Sequence, residues 1–318
     1  MVDRDEHQAM LDVVVRYYLE DRTQSQIGKE FNISRSTISR LLKKARETGV
    51  ITFSINYQSE EIETLQDKIK RMFRIRRVLL TKTVSDDSTT LREVSKLAAK
   101  ELESHLHHDM TIGVSWGRHI EMLSKTMSTY DYEGISIVEI FGAIGSRVNR
   151  VDTQMVSRKI CEKLNARLYP LSAPIFMFDE AGRQEVRASK AVKATLDKIH
   201  ECELILTSIG TIEHDPWQTL WHDYLDDRMK REIIAQEGAG FILAHFFNHN
   251  GEFLDHKIND SVIGIPTDAI RTQKIFAIAS GATKAPGILG ALRGGFLDTL
   301  ISDEQTLRRV LELAAAQR

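Results

Sequence analysis

Cysteine is scarce in this sequence, long apolar runs are missing, and each shortage excludes a class of protein. The 318 residues include only Cys161 and Cys202, too few for a disulfide framework and without metal-ligand spacing around them. The longest apolar runs, such as AGFILAHFF at 239–247, fall far below the length of a membrane span. The start, MVDRDEHQAM, lacks the basic and then apolar order of a signal peptide. We therefore expect a soluble, cytoplasmic protein with reduced thiols.

A strong charge of one sign is also missing, because 43 basic and 45 acidic residues leave a net charge of −2 at pH 7. This balance excludes a nonspecific polycation. Before residue 77 the only glycines are Gly28 and Gly49, whereas afterwards glycine recurs at the ends of apolar runs. The length and this change in composition predict two domains, residues 1–57 and 77–318, joined by a linker helix over 58–76.

The segment 23–49 has the pattern of two short helices joined by a tight turn. Thr23 followed by Gln26 is a capping box, which begins a helix by satisfying its free N–H groups. Asn32 can end that helix because asparagine tolerates the left-handed conformation. Ser34 is a natural N-cap for the next helix. The segment therefore predicts a helix-turn-helix.

The second of these helices is amphipathic. Its apolar residues recur at helical spacing and predict one buried face: Ile38, Leu41, Leu42 and Ala45. The opposite face carries side chains that can reach DNA: Arg35, Ser36, Thr37, Ser39, Arg40, Lys43 and Lys44. Arginine and lysine recognise guanine in the major groove, and serine or threonine can donate or accept there.

Local charge strengthens this prediction. Between residues 32 and 50 there are five basic residues and one acidic residue, a local net charge of +4. Such a patch indicates phosphate binding that weakens as salt rises, although taken singly these residues could form an ordinary solvated helix face. We expect Arg35, Ser36, Thr37, Ser39 and Arg40 to contact base edges. Phosphate contacts are expected from Lys43, Lys44 and Gln24.

The flanking segments complete a predicted winged DNA-binding domain. A first helix is indicated by apolar residues at helical spacing: Met10, Val13, Val14, Tyr17 and Tyr18. After Gly49, residues 50–57 alternate between apolar and polar, which predicts a strand that could form the wing. A short heptad-like seam follows: Ile62, Leu65, Ile69 and Met72. This seam could be a linker helix, a dimer contact or packing against its own domain.

From residue 77 onward, predicted strands alternate with predicted helices. The strands are Arg77–Thr83, Met110–Ser115, Ile135–Phe141, Arg167–Leu171, Leu204–Ile209, Gly240–Phe247, Lys274–Ala279 and Thr299–Ser302. The helices are 89–106, 117–128, 152–165, 186–200, 217–236, 285–293 and 303–316. This alternation predicts an α/β domain with a mostly parallel sheet covered on both faces. Ligands of such sheets bind beyond the carboxyl ends of the strands.

Several loops at those strand ends contain glycine: GVSWGRH at 113–119, FGAIGSR at 141–147, SIGT at 208–211 and SGATKAPG at 280–287. The first and last of them open helices, whose N-termini offer free N–H groups to an anion. Arg118, Arg147 and Lys284 add positive charge near the same ends. We therefore expect an anion-binding site at this edge of the sheet, although any tight strand-to-helix turn may use glycine.

Taken together, these segments resemble the SorC/DeoR-type family of sugar-binding transcriptional regulators over nearly the whole chain. The resemblance is carried by ISRSTISRLLKKARETGVI at 33–51, GVSWGR, the glycine loop at 142–147, LSAP at 171–174 and GAGFILAHFFNHNG at 238–251. The most specific block is GATKAPGILGALRGGFLDTLISDEQT at 281–306, with Lys284, the glycine pair before Phe296 and the acid at Asp303.

The resemblance implies an effector domain related to the sugar-phosphate isomerases and deaminases of the glucosamine-6-phosphate deaminase and ribose-5-phosphate isomerase type. It implies a sensor for a sugar, polyol or sugar phosphate in a homodimer or homotetramer that binds operator DNA. Carried over to this sequence, the effector residues are Ser115, Gly117, Arg118, Gly142, Gly145, Ser146, Arg147, Asn248 and Lys284. Asn248 occupies a position where members of the family often have Asp. Ala143 occupies a position where a second glycine is usual in the family.

Two enzymatic alternatives remain open. GVSWG matches the nucleophile-elbow pattern of α/β-hydrolases, with Ser115 as the nucleophile, but no HGGG-type oxyanion segment accompanies it. A retained isomerase or deaminase activity would need a carboxylate as general base, and neither GVSWGR nor SGATKAPG contains one. We therefore expect sensing without catalysis.

Two further side-chain groups invite a functional interpretation. The histidines, His105, His107, His108, His245, His249 and His256, could suggest a metal site, but we expect neither a metal nor a cofactor. The aromatic stripe of Trp217, Trp221 and Tyr224 is better explained by packing in the core or at a subunit interface than by effector contact.

Overall fold

The computed structural model describes residues 4–51, 59–84, 86–144, 153–212 and 224–317. The chain divides into two compact units, Met1–Asn56 and Tyr57–Arg318. Three predicted features lie wholly or mostly outside the described residues: the wing strand at 50–57, the loop residues Gly145, Ser146 and Arg147, and the pair Trp217 and Trp221. None of the helices within the described ranges is long and apolar enough to cross a membrane.

The described part of the first unit, residues 4–51, contains three helices: α1 Arg4–Tyr18, α2 Gln24–Glu30 and α3 Arg35–Glu47. The predicted capping box is present, because the Thr23 hydroxyl accepts from the Gln26 N–H (3.3 Å) and Gln26 Oε1 accepts from the Thr23 N–H (2.9 Å). Asn32 takes the left-handed conformation that ends the turn, with φ 55°. The Ser34 hydroxyl then accepts from the Thr37 N–H at 3.1 Å and begins α3.

A small apolar core holds these helices together. It is formed by side chains that all three helices contribute: Met10, Val13, Ile27, Ile38, Leu42 and Ala45. Leu41, predicted to be buried with them, is only half-buried at the edge of this core. The turn between α2 and α3 comes so close to α2 that a Cβ on Gly28 would lie 2.7 Å from the Ile33 carbonyl oxygen.

The second unit begins with α4 Glu60–Phe73, the helix that carries the heptad-like seam. Of the interpretations given for this seam, its contacts support packing against its own domain. Ile62, Leu65 and Ile69 are buried in the main apolar core of this unit, and Met72 packs against it. The helix contacts the C-terminal helix α14, Glu304–Ala316, and Arg308 of that helix lies 3.9 Å from Glu61. The seam is therefore packed against the effector domain.

Among the described residues, nine strands form one sheet: β1 Arg77–Thr81, β2 Thr111–Val114, β3 Ser136–Glu139, β4 Arg167–Tyr169, β5 Leu204–Thr211, β6 Gly238–Ile242, β7 His245–Asn248, β8 Ile275–Ile278 and β9 Thr299–Asp303. Seven of them pair in parallel in the order β1-β9-β8-β5-β2-β3-β4. Strand β6 pairs antiparallel with the end of β5, and β7 with β6. The predicted, mostly parallel sheet is confirmed.

Helices follow most of these strands: α5 Asp87–Glu103, α6 Arg118–Thr126, α7 Thr153–Leu164, α8 Glu180–Ala188, α9 Lys190–Ile199, α10 Asp227–Ala235, α11 Lys257–Asp260, α12 Thr267–Ile270, α13 Ala285–Arg293 and α14 Glu304–Ala316. Successive residues of β8 point to opposite faces, and each face belongs to a different apolar core. Ile275 joins one core and Phe276 the other. Burial on both faces explains why the central strands are continuously apolar.

Two elements that were each predicted as one unbroken strand or helix are divided in the structure. The single strand Gly240–Phe247 is a hairpin, in which Leu243 (φ 50°) and Ala244 (φ 68°) make the turn between β6 and β7. The apolar run hid this turn, because neither residue belongs to the glycine and asparagine types that normally mark one. The predicted helix 186–200 is likewise two helices, broken at Ser189, which ends α8 and begins α9.

The close approach at Gly28 makes a prediction for the helix-turn-helix. Alanine gains up to about 1 kcal/mol of helix propensity, but its methyl group would press on backbone that cannot rotate away. We expect Gly28→Ala to lower the free energy of unfolding of the first unit by about 1 kcal/mol or more, the usual scale of overpacking. Calorimetry of the whole chain, with the exposed Ser25→Ala as control, measures this. An unchanged or raised transition would contradict it.

Candidate DNA interface and effector site

The outward face of α3 carries the predicted DNA-binding side chains. Five of them are exposed: Arg35, Ser36, Ser39, Arg40 and Lys43. Thr37 and Lys44 are half-buried, as is Gln24 on α2. The Thr37 hydroxyl lies 2.8 Å from the Ser34 hydroxyl, which holds it at the helix cap. The cap therefore orients the beginning of α3, while the residues after it remain available to a ligand.

The positive charge of α3 is largely uncompensated. Within the described residues, neither Arg35 nor Arg40 makes an ion pair, and Lys43 has only the distant Glu47 at 3.8 Å. The nearby acid Glu30 is engaged by Arg16 (2.7 Å) and Arg22. The hydrogen bond from Arg16 lowers the pKa of Glu30 and raises that of Arg16. Glu30 therefore stays ionised, but its charge is paired with Arg16 and Arg22 and does not neutralise the positive charge of α3.

In the second unit, the sheet order identifies a switch point between β2 and β5. From β2 the chain continues to β3 and β4 on one side, whereas from β5 it continues to β8 and β9 on the other. Loops leaving such a point diverge and open a crevice at the carboxyl ends of the strands. The predicted loops after β2 and β8 both leave this edge.

The ends of β2 and β5 are in direct contact. Ser115 is buried, and its hydroxyl donates to Thr207 Oγ1 at 3.0 Å. Gly117, with φ 141°, passes so close to β5 that a Cβ there would lie 2.8 Å from Ser208 Oγ. The Ser208 hydroxyl is itself buried and has no hydrogen-bond partner among the described residues. A ligand hydroxyl or anion is the kind of group that would satisfy it.

The loop after β8 approaches the same place. The buried His119 at the start of α6 pairs with the Ser280 hydroxyl through Nε2 at 2.7 Å. Burial, together with the nearby charges of Lys284 and Arg118, lowers the pKa of His119 well below its usual value. The imidazole is therefore neutral and bridges the two loops.

Arg118 and Lys284 place two like charges in this crevice. Lys284 is half-buried, and burial, followed by the charge of Arg118, lowers its pKa to about 8. Neither cation forms an ion pair with a described residue. The helices that begin beside them, α6 and α13, have no side-chain cap at their N-termini. Two cations without ion pairs suit an anion, and the N-terminus of α6 adds the positive end of a helix dipole.

Two predicted effector residues instead occupy closely packed positions. The N–H of Gly142 donates to the Ile263 carbonyl at 2.9 Å, and a Cβ there would lie 2.4 Å from the Ala173 carbonyl oxygen. The Asn248 side chain closes a turn, accepting from the Glu252 N–H at 3.0 Å and donating to the Glu252 carboxylate at 2.9 Å. No described contact joins either residue to the crevice around Lys284.

The Ser115 hydroxyl is hydrogen-bonded within the fold. It contacts Thr207, and in the described part of the chain no histidine is hydrogen-bonded to it. A nucleophilic serine needs such a base within hydrogen-bond reach. The same part of the chain contains no group of three or more His, Cys, Asp or Glu side chains that could hold a metal ion.

Comparison with protein families decides between these interpretations. A family model for a sugar-binding domain (Sugar-bind) matches residues 57–312, which is most of the chain. The chain belongs to the SorC/DeoR-type family of sugar-binding transcriptional regulators. A second model, Sigma-70 region 4, matches residues 8–48 and covers the helix-turn-helix. This SorC-type protein is thus a transcriptional regulator with a DNA-binding region and a sugar-binding domain.

Its relatives are similar over their full length. The sorbitol operon regulator of Klebsiella pneumoniae is 26% identical over 98% of this chain and 100% of its own. The deoxyribonucleoside regulator of Bacillus subtilis is 24% identical over 98% of this chain and 99% of its own. The crystal structure of full-length SorC from Klebsiella pneumoniae superposes with a TM-score of 0.78 at 25% identity, covering 97% and 100% of the two chains.

Sequence reasoning missed several polar residues of this regulator's crevice. They are Thr207, Ser208, His119 and Ser280. Ser208 and Ser280 lie in segments already singled out for their glycines, so the topological switch point was the signal that could have found them. The prediction of a loop at 208–211 was wrong, because these residues extend β5, and residues 209–211 pair with β6. Their pairing across the sheet depends on the strand order, which the sequence alone does not supply.

The lowered pKa of Lys284 makes a pH-dependent prediction. Because the folded state disfavours its charge, Lys284→Met should raise the melting temperature of the ligand-free protein at about pH 7. The wild type should regain stability as pH rises from about 8 towards its unfolded pKa near 10.5, because the unfolded chain then binds more protons. The difference between the two proteins should therefore shrink over that range. The exposed Lys190→Met is the control, and a difference independent of pH would contradict the prediction.

Proposed function

We propose that this regulator inserts α3 into the major groove of its operator. Arg35, Ser36, Ser39 and Arg40 are proposed to contact base edges, because all four are exposed on one face of a helix whose start is fixed by Ser34. Lys43, Lys44 and Gln24 are proposed to position phosphates. Thr37 is proposed to act mainly through the cap, since its hydroxyl is already engaged by Ser34.

We propose further that the effector is a sugar or polyol carrying an anionic group, such as a phosphate. The observation that carries this proposal is the pair of unpaired cations, Arg118 and Lys284, beside the N-terminus of α6, which has no side-chain cap. Gly117 lets its loop pass close to Ser208, whose buried hydroxyl is proposed to bind a sugar oxygen. Arg147, Ser146 and Gly145 remain predicted contacts, whereas Gly142, Asn248 and Ser115 are proposed to act mainly in packing and hydrogen bonding within the fold.

The crevice is proposed to sense its ligand rather than convert it. Sugar isomerisation or deamination needs a carboxylate poised near the substrate, and the loops at 113–119 and 280–287 contain no carboxylate. The relatives are regulators, and their names refer to sorbitol and to deoxyribonucleosides. We infer that the ligand binds one operator-affinity state more tightly than the other, because without that difference it could regulate nothing.

The proposed working form is a cytoplasmic homodimer or homotetramer. A twofold assembly predicts a pseudo-palindromic operator with half-sites separated by whole helical turns. By analogy with regulators of sugar metabolism, we propose that the protein represses its promoter and that effector binding relieves this repression.

The DNA contact can be tested with Arg40→Ala. If Arg40 pairs with guanine, the variant should lose about 1–3 kcal/mol of binding to its operator and should discriminate less at one base position. If Arg40 meets only phosphate, the loss should be equal on all sequences and should reduce the salt dependence. Gel shifts on a fragment from the gene's own promoter measure both. Arg309→Ala, exposed on α14, should bind normally, and an Arg40→Ala variant with wild-type affinity would refute the contact.

The effector proposal can be tested by thermal shift against matched pairs of sugars and their phosphates. A ligand of the native state raises the melting temperature, and we expect phosphates to do so more than the parent sugars. Lys284→Ala should abolish this stabilisation while keeping the affinity of the ligand-free protein for operator. Parent sugars that stabilise both proteins equally well would show that the crevice does not select an anion.

A further inference from the structure

The loop that carries Lys284 is anchored to the beginning of α14 by a buried carboxylate. Asp303 ends β9, is 1% exposed and caps α14 by accepting from the Thr306 N–H at 3.1 Å. The Thr306 hydroxyl donates to the same carboxylate. Asp303 Oδ1, the oxygen that accepts from the Thr306 N–H, also accepts from the Thr83 hydroxyl at 2.5 Å. The carboxylate is therefore fully engaged and fixed in position.

Gly281 is held by this cluster. Its N–H donates to Thr306 Oγ1 at 2.8 Å and to Asp303 Oδ2 at 3.2 Å. A threonine hydroxyl has one hydrogen to donate and lone pairs to accept with, so donation to Asp303 leaves Thr306 oriented to accept from Gly281. Gly281 has φ 104°, a conformation that L side chains rarely adopt.

Lys284 is attached to Gly281 by a single turn. The Lys284 N–H donates to the Gly281 carbonyl at 2.9 Å, which closes the short 3₁₀ turn Ala282–Lys284. Gly281 is thus bonded through its N–H to α14 and through its carbonyl to the backbone of Lys284. On the other side, Ser280 is bonded to His119. Both ends of the loop are fixed, so the direction of the Lys284 side chain depends on these bonds.

We propose that Thr306 and Asp303 are positioning residues for the effector. They hold Gly281 so that Lys284, at the start of α13, stands beside Arg118. The part of this inference that concerns ligand affinity rests on the proposed function, whereas the part that concerns the loop does not. Neither residue contacts the crevice directly in the described structure, and both act through the backbone of Gly281.

The test compares Thr306→Val, which keeps the shape but removes the hydroxyl, with Thr306→Ser, which keeps the hydroxyl. Thr195→Val is the matched control, because Thr195 is also buried and its hydroxyl also donates a hydrogen bond, to the Pro170 carbonyl at 2.9 Å. Both valine variants lose a buried hydrogen bond, so a shared loss of melting temperature reports only a structural effect. The loop-specific readouts below separate the two variants.

Two measurements need no ligand. Amide hydrogen exchange in residues 281–284 should be about tenfold faster or more in Thr306→Val, the change expected from losing a hydrogen bond to a charged network. Labelling with acetic anhydride over a pH series should show the pKa of Lys284 rising from about 8 towards its ordinary value, because the side chain leaves Arg118 and the buried site. Thr306→Ser should restore wild-type behaviour, and Thr195→Val should show neither change.

A third measurement uses ribose 5-phosphate, titrated by calorimetry. If the wild type binds it, Thr306→Val should bind it about tenfold more weakly while the ligand-free protein keeps its operator affinity. Unchanged exchange or an unchanged Lys284 pKa in Thr306→Val would overturn the positioning role, as would unchanged affinity for a bound sugar phosphate. If no sugar phosphate binds the wild type but the ligand-free changes appear, the proposed effector class fails and the positioning of Lys284 stands.

Discussion

The fold of the effector domain depends on the burial of a parallel sheet on both faces. Parallel strands must be joined by crossovers, and the crossover helices cover the two faces so that the strands become apolar throughout. Polar side chains then gather towards the carboxyl ends of the parallel segments, where Ser115, Thr207 and Ser208 are found. Because the strand order reverses between β2 and β5, these ends border one crevice. The chemistry of the site is thus a consequence of the packing of the sheet.

The parts that depend on local interactions could be predicted from the sequence. A capping box, an N-cap and a left-handed asparagine are properties of three or four consecutive residues, and Thr23, Asn32 and Ser34 all behave as predicted. The alternation of strands with helices is also visible in short windows. For the same reason the glycine loops at 113–119 and 280–287 were placed correctly at strand ends, and Lys284 and Arg118 were found with them.

The remaining features depend on residues that are distant in the sequence. Ser115 finds Thr207 only after β2 and β5 become neighbours, and Ser280 finds His119 in the same way. The turn at Leu243 and Ala244 uses residues with little turn preference, because the antiparallel pairing of β6 and β7 imposes it. Asn248 is a different case, since the resemblance implies ligand contact and the structure adds hydrogen bonds of this side chain within its own turn.

The packing of α14 has a consequence for communication along the chain. Its first turn binds Gly281, while Leu307 and Val310 share an apolar core with Ile62 and Leu65 of α4, the helix that follows the DNA-binding unit in sequence. Close-packed cores transmit displacements because they have little free volume. A ligand that displaces the Lys284 loop must therefore either break the hydrogen bond between Gly281 and Thr306 or move α14. Because α14 packs against α4, a movement of α14 has to be accommodated by α4. On the proposed function, a ligand in the crevice would thus displace the chain where α4 begins, a few residues after the DNA-binding unit ends.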